Sequence, residues 1–215
     1  QVGGFKSRLV IGAQGVRIDE QKGHPGLDAI GHVAAECMAR VKVPLVVVKH
    51  AWRGEQHGDR HPLGKVLRLG RNGKPGLNIH VCVDGSILSQ NSFSFAASLL
   101  RDNDTLTALH VVHTEGGSAD AEAAAVRSSY TAECAKLEFS MPKLAGAEYV
   151  EVPLSKGIGQ DLLDQIERGQ PDLLVMASVE LSNPKKKHQL GSICAWIAKY
   201  TSTHLVILKN VSLAS

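Results

Sequence analysis

The chain carries one pattern twice. Residues 7–17 read SRLVIGAQGVR and, after a loop, residues 31–49 read GHVAAECMARVKVPLVVVK. Far downstream, residues 172–181 read DLLVMASVEL and residues 191–209 read GSICAWIAKYTSTHLVILK. Each copy is an apolar strand, a loop, a helix opened by glycine, a short turn, and a second apolar strand ended by lysine. The glycine-to-lysine stretch spans nineteen residues in both. A repeat in fixed order implies two homologous units in one chain. The copies differ in what comes before them. Residues 77–171 stand between a linker and the second copy, whereas only residues 1–6 precede the first. The reading is therefore the C-terminal part of a first domain at 1–50, a basic linker at 51–76 and a complete domain at 77–210.

Within the second unit the pattern is a strand followed by a helix, repeated. Strands are predicted at 77–83, 106–112, 148–152, 173–176 and 205–208, and helices at 86–100, 118–141, 159–167 and 191–200. The strands are continuous Val/Ile/Leu runs rather than alternating ones, which means cover on both faces. Such alternation predicts an α/β fold with an open, five-stranded parallel sheet flanked by helices. Ligands in sheets of this kind sit beyond the carboxyl ends of the strands, where strand order reverses. Residues 50–75 hold five glycines, four arginines and two lysines. Among them His57, Asp59 and His61 lack a third and fourth rigid ligand and read as a solvated segment.

Composition narrows the function. A net charge of +3 is too small to argue for nucleic acid by itself. No apolar run reaches the length of a membrane span, and no leader is read at the start. The four cysteines show no CxxC, and Cys82 and Cys194 sit among apolar neighbours as small core residues, which favours a reducing, cytoplasmic setting. No Ser/His/Asp set, HExxH or P-loop is present, and His110 and His113 read as structural histidines. The chain is not expected to be an enzyme.

Two segments carry binding chemistry. Val83-Asp84-Gly85-Ser86 lies where the first strand of the second unit turns into a helix. There an acidic side chain can accept hydrogen bonds from a ligand amino group or hydroxyl, Gly85 permits a tight turn, and Ser86 can cap the helix. Ile11-Gly12-Ala13-Gln14-Gly15 follows a strand and precedes a helix opened by Gly31. Glycines there let backbone amides approach a phosphate, and a helix N-terminus adds positive potential.

These segments together resemble the universal stress protein family. The carriers are Val83-Asp84-Gly85-Ser86, Leu109-His110-Val111, residues 172–178, and the paired stretches 31–49 and 191–209. The resemblance covers residues 77–209, and residues 7–49 resemble the last third of a second copy. It implies a Rossmann-like fold of the adenine nucleotide alpha hydrolase type, with ATP bound by some members and not by others. It marks Asp84, Val111, Met176, Gly191 and Ser192 as nucleotide-contacting positions in the second unit, and Gly12, Gly15 and Gly31 in the first. It also implies that the last strands of two such units pair antiparallel, so that residues 44–49 lie beside 205–209.

The sequence departs from the family's nucleotide-binding pattern, Gly-two-Gly-nine-Gly-Ser/Thr after the fourth strand. Ala177 and Glu180 replace its first two glycines, and the loop before Gly191-Ser192 has one extra residue. Glu180 puts a carboxylate where phosphates approach, which Lys185, Lys186 and Lys187 could offset. The first copy keeps its glycines but has a longer loop, and His32 replaces the Ser/Thr. The expectation is a non-enzymatic tandem interaction module with a degenerate nucleotide site, acting through protein partners or self-association along the last strand of each domain, with neither nucleic acid nor membrane as a partner. The alternatives are an ATP-binding stress or signalling protein and a structural subunit of a large assembly, for example a cytoskeletal one.

Overall fold

The structure is a computed structural model, and it describes residues 9–13, 45–49, 76–113, 118–178 and 191–209. In chain order the elements are β1 (Leu9–Ala13), β2 (Leu45–Lys49), β3 (Asn78–Cys82), α1 (Ile87–Leu99), β4 (Thr105–Val112), α2 (Ser118–Ser140), β5 (Gly146–Pro153), α3 (Ile158–Gly169), β6 (Leu173–Ser178), α4 (Ser192–Tyr200) and β7 (His204–Lys209). The nine elements predicted between residues 77 and 209 are all present, with no end moved by more than two residues. Residues 51–75 of the linker, the Lys185–Lys187 run and the helix opened by Gly31 lie outside the described residues.

One seven-stranded sheet runs β1-β2-β7-β6-β3-β4-β5. The predicted five parallel strands form its β7-to-β5 portion. The remaining two extend it at β7. Leu45 pairs with Ile207, Val46 with Val206 and Val47 with Leu205, antiparallel, as the resemblance implies, and β1 pairs parallel with β2. Strand β1 runs through Gly12 and Ala13, opposite Val48 and Lys49, so Gly12 belongs to the strand rather than to the loop after it.

Successive strand residues serve opposite faces. Leu174, Met176, Leu205 and Ile207 pack with Leu45, Val47, Leu162, Ile166 and Ile197 on the α3/α4 face. Val175, Val206 and Leu208 pack with Ile79, Val81, Phe93, Phe95, Val126 and Tyr130 on the α1/α2 face. Both faces are dry, which is why the strands show no polar alternation.

The helices spend their apolar residues sparingly. Helix α2 buries a narrow stripe at fourfold spacing, Val126, Tyr130 and Cys134, which is enough to seat an otherwise alanine-rich helix. Ile87 is 77% exposed, because the first position of α1 faces outward while Phe93, Phe95 and Ala96 meet the sheet. Helix α3 is fastened at its start by Asp161. Its carboxylate accepts the backbone N–H groups of Ser155, Lys156 and Gly157 and the Ser155 hydroxyl, at 2.7–3.2 Å. These bonds satisfy backbone donors at the end of the preceding loop. Among the described residues no helix is long and apolar enough to cross a membrane.

Burial separates two apolar truncations. Ile207 is wholly buried and Phe139 is 92% exposed. Ile207→Ala is expected to cost about 2–5 kcal/mol through lost burial and a cavity. Phe139→Ala is expected to change stability by less than about 0.5 kcal/mol. Urea denaturation of both variants checks this, and equal losses contradict the strand assignment.

Candidate functional site

The chain visits β3, β4 and β5 in one direction, then crosses back to place β6 on the other side of β3. Connections therefore diverge from the carboxyl ends of β3 and β6, and a crevice opens between them. A cleft of about 370 Å³ lies there, lined by Cys82, Asp84, His110, Met176, Gly191 and Ser192 together with Val83, Ser89, Leu109, Val111, Ile158, Leu162, Ala177, Ser178, Ile193 and Cys194. The fold thus gathers Asp84, Val111, Met176, Gly191 and Ser192, residues far apart in sequence, around one space. Gly15 and Gly31 lie outside the described residues, and Gly12 stands in β1, separated from β3 by three strands.

The turn after β3 is built by local hydrogen bonds. Asp84 Oδ1 accepts the Ser86 N–H at 3.0 Å, and the Asp84 N–H donates to Ser89 Oγ at 3.3 Å. Ser86 caps α1, its hydroxyl oxygen accepting the Ser89 N–H at 3.1 Å. Ser89 Oγ lies 3.0 Å from the Tyr130 hydroxyl, which ties the turn to α2. Gly85 has φ of +80°, and a Cβ there would meet Val126 Cγ2 at 2.7 Å, so both backbone and packing require glycine. Burial pushes the Asp84 carboxyl up, but hydrogen bonds from Ser86 and Ser89 outweigh it and hold the group below its ordinary value of 3.8. Asp84 is thus an exposed, ionised acceptor at the mouth of the cleft.

Opposite this turn, α4 presents its N-terminus. Gly191 is the residue before the helix, and its N–H donates to Ser178 Oγ at 3.0 Å, tying the start of α4 to the end of β6. The first N–H groups of a helix have no partner within it, and here they belong to residues that line the cleft. An acidic acceptor on one side and helix amides on the other suit a ligand with hydroxyl or amino donors at one end and an anion at the other.

The wall between them contains residues that the sequence reading left out or set in the core. His110, at the carboxyl end of β4, has Nδ1 2.7 Å from the Tyr149 hydroxyl, which lies 3.4 Å from Glu151 Oε1. Arg127 of α2 grips Glu151 with two bonds, 2.7 and 2.9 Å. His110 is therefore a satisfied histidine, as predicted, and also part of the cleft. Its position beside Val111 on a strand end was the available signal. Cys194 is buried and Cys82 half-buried, and both line the cleft, so neither is only a core residue. Burial pushes both thiols up to about 12.

A second cleft of about 360 Å³ lies at the amino ends of the strands. Its polar groups are largely spent on one another. Thr105 Oγ1 donates to Asn78 Oδ1 at 3.0 Å, Asn78 Nδ2 to the Gly169 carbonyl at 3.1 Å, and Thr107 Oγ1 to Glu148 Oε1 at 3.2 Å. Among the described residues no group of three His, Cys, Asp or Glu is placed to hold a metal ion. The carboxyl-end cleft is therefore the functional candidate.

Its titratable groups set a pH dependence. Burial lowers His110 below its ordinary value of 6.5, opposed by Glu151, Asp84 and Glu122, with Arg127 reinforcing it. A histidine with a depressed folded value is protonated first in the unfolded chain, so stability falls as pH drops below about 6.5. Asp84 has the opposite charge but the same sign of effect, since its contribution is complete above 3.8 and is lost as pH falls through its lower folded value. The urea midpoint is expected to decline between about pH 7 and pH 5, and His110→Gln is expected to reduce that decline. Identical pH profiles for the two proteins contradict the assignment.

The chain matches the universal stress protein family over residues 77–209. Among solved structures, a universal stress protein from Archaeoglobus fulgidus is 15% identical with a TM-score of 0.60, covering 95% of this chain and 63% of its own. A universal stress protein from Lactobacillus plantarum is 22% identical with a TM-score of 0.46, over 61% of this chain and 96% of its own. An Arabidopsis thaliana member of the family, solved with AMP bound, is 14% identical with a TM-score of 0.46, over 63% of this chain and 93% of its own. The chain thus spans about 63% of the length of the Archaeoglobus protein. No curated protein sequence matches it. The strand order, the reversal at β3 and the family match over residues 77–209 agree, and the chain belongs to the universal stress protein family.

Proposed function

We propose that the chain is a non-enzymatic, tandem universal-stress-protein-like module whose cleft takes the nucleoside end of an adenine nucleotide, grips a triphosphate poorly, and works through protein partners. The observation that carries this reading is the meeting of Asp84, Val111, Met176, Gly191 and Ser192 around one cleft of nucleoside-sized volume. Asp84 offers an ionised acceptor to hydroxyl and amino groups, and the α4 N-terminus offers amides to a phosphate. The phosphate side is where the sequence has drifted. Ala177 adds a Cβ to the cleft wall, and Glu180 brings negative charge to the loop that should meet phosphates. A non-catalytic role is supported by the thiols of the cleft, which burial keeps protonated and hence weakly nucleophilic.

The tandem reading is supported by the sheet itself. β1 and β2 pair parallel, as β6 and β7 do, and the two pairs meet antiparallel at β2 and β7. The order β1-β2-β7-β6 is thus nearly symmetric about its middle, which is what two copies of one unit produce. A cytoplasmic setting fits the free thiols Cys82, Cys134 and Cys194.

Calorimetric titration of the whole chain with AMP and with ATP plus magnesium tests the reading. AMP is expected to bind at least as tightly as ATP. Replacing Ala177→Gly and Glu180→Gly together is expected to raise ATP affinity by about a hundredfold and AMP affinity by much less. Micromolar ATP binding by the unmodified chain contradicts the weakened phosphate side. Failure of the chain to bind either nucleotide contradicts the nucleoside reading.

A further inference from the structure

We propose that His110 is a specificity-determining residue of the cleft, a hydrogen-bond acceptor at Nε2 held in that state by Tyr149 and Glu151, which selects ligands presenting an N–H or O–H donor. The inference rests on the nucleotide reading above for the ligand but on separate geometry for the residue. Its starting point is Arg127. Two bonds from the guanidinium, 2.7 and 2.9 Å, hold Glu151 as a carboxylate, which can only accept. The Tyr149 hydroxyl donates to that carboxylate at 3.4 Å. Its oxygen, 2.7 Å from His110 Nδ1, is then the acceptor for the imidazole N–H. A neutral imidazole has one N–H, so placing it on Nδ1 leaves a lone pair on Nε2. His110 lines the cleft, and with Nδ1 engaged, Nε2 is the nitrogen it has left for a ligand.

The groups around the ring keep this state. Burial favours the neutral imidazole, while Asp84 beside the turn, Glu151 on β5 and Glu122 on α2 pull toward the charged form, and Arg127 pushes against it. Burial also raises the Tyr149 hydroxyl, so the relay keeps its middle proton. The chemistry selected is a donor on the nucleoside, from either a ribose hydroxyl or the exocyclic amine of the base. A nucleoside presenting a lone pair at the same place meets lone pair against lone pair and is disfavoured.

Two measurements on the whole chain test the proposal. Long-range proton–nitrogen NMR of the imidazole at neutral pH reads the tautomer without any ligand, and Nδ1–H is expected. Titration with AMP, 2′-deoxy-AMP, 3′-deoxy-AMP and purine riboside monophosphate locates the donor. At least one analogue is expected to bind about tenfold more weakly than AMP, and the one that does identifies ribose or base as the source. In His110→Phe that penalty is expected to vanish. In Tyr149→Phe, which keeps the ring and removes the hydroxyl, it is expected to shrink as the tautomer shifts toward Nε2–H. An Nε2–H tautomer in the unmodified chain, or an unchanged analogue penalty in a folded His110→Phe, overturns the proposal while leaving the nucleotide reading intact. Absence of binding by all four nucleotides overturns both.

Discussion

Burial of both faces of the sheet is the interaction on which the rest of this structure depends. Leu174 and Ile207 face one helical layer, and Val175 and Val206 face the other. A sheet covered on both sides must be crossed by its connections, and the first strand of the unit, β3, ends up in the middle with neighbours added on each side. The cleft is a by-product of that arrangement. It opens where α1 and α4 leave the sheet in different directions, and it exists before any residue is chosen to line it.

The polar groups of this crevice are held by contacts to the elements around it. Asp84 is fixed by the Ser86 N–H and by the cap that Ser86 forms on α1, and the turn is tied through Ser89 to Tyr130 in α2. His110 is fixed through Tyr149 and Glu151 to Arg127, also in α2. One helix that buries only a narrow apolar stripe thus braces the Asp84 turn and the His110 wall of the cleft with polar contacts. Gly85 permits this geometry, since any side chain there would push on Val126 in the same helix.

Much of the fold was legible because it rests on apolar runs. The strands from β3 to β7 and their helices are written as unbroken Val/Ile/Leu segments between Gly and Ser punctuation, whereas the pairing of β2 with β7 was implied by the resemblance to the universal stress protein family. The limits of β5 were less legible, since Glu148 and Tyr149 look like polar interruptions until Thr107 and His110 are seen beside them. Of the residues that line the cleft, Asp84 was legible at a turn and Gly191 as the opening of a helix, while Ser192 came from the resemblance. The role of His110 was not legible, because it depends on Tyr149, thirty-nine positions away, and on the register that sets Glu151 opposite it. Cys82 was read as core because its neighbours in sequence are apolar, although its strand ends at the cleft.

The central claim is that the carboxyl ends of β3, β4 and β6 form the ligand site. Backbone amide NMR of the whole chain titrated with AMP tests it most directly. The account predicts shifts concentrated at Asp84, Gly85, Val111, Gly191 and Ser192, on the rim of that cleft. Shifts concentrated instead at Asn78, Thr105 and Glu148, around the cleft at the opposite ends of the same strands, would contradict it.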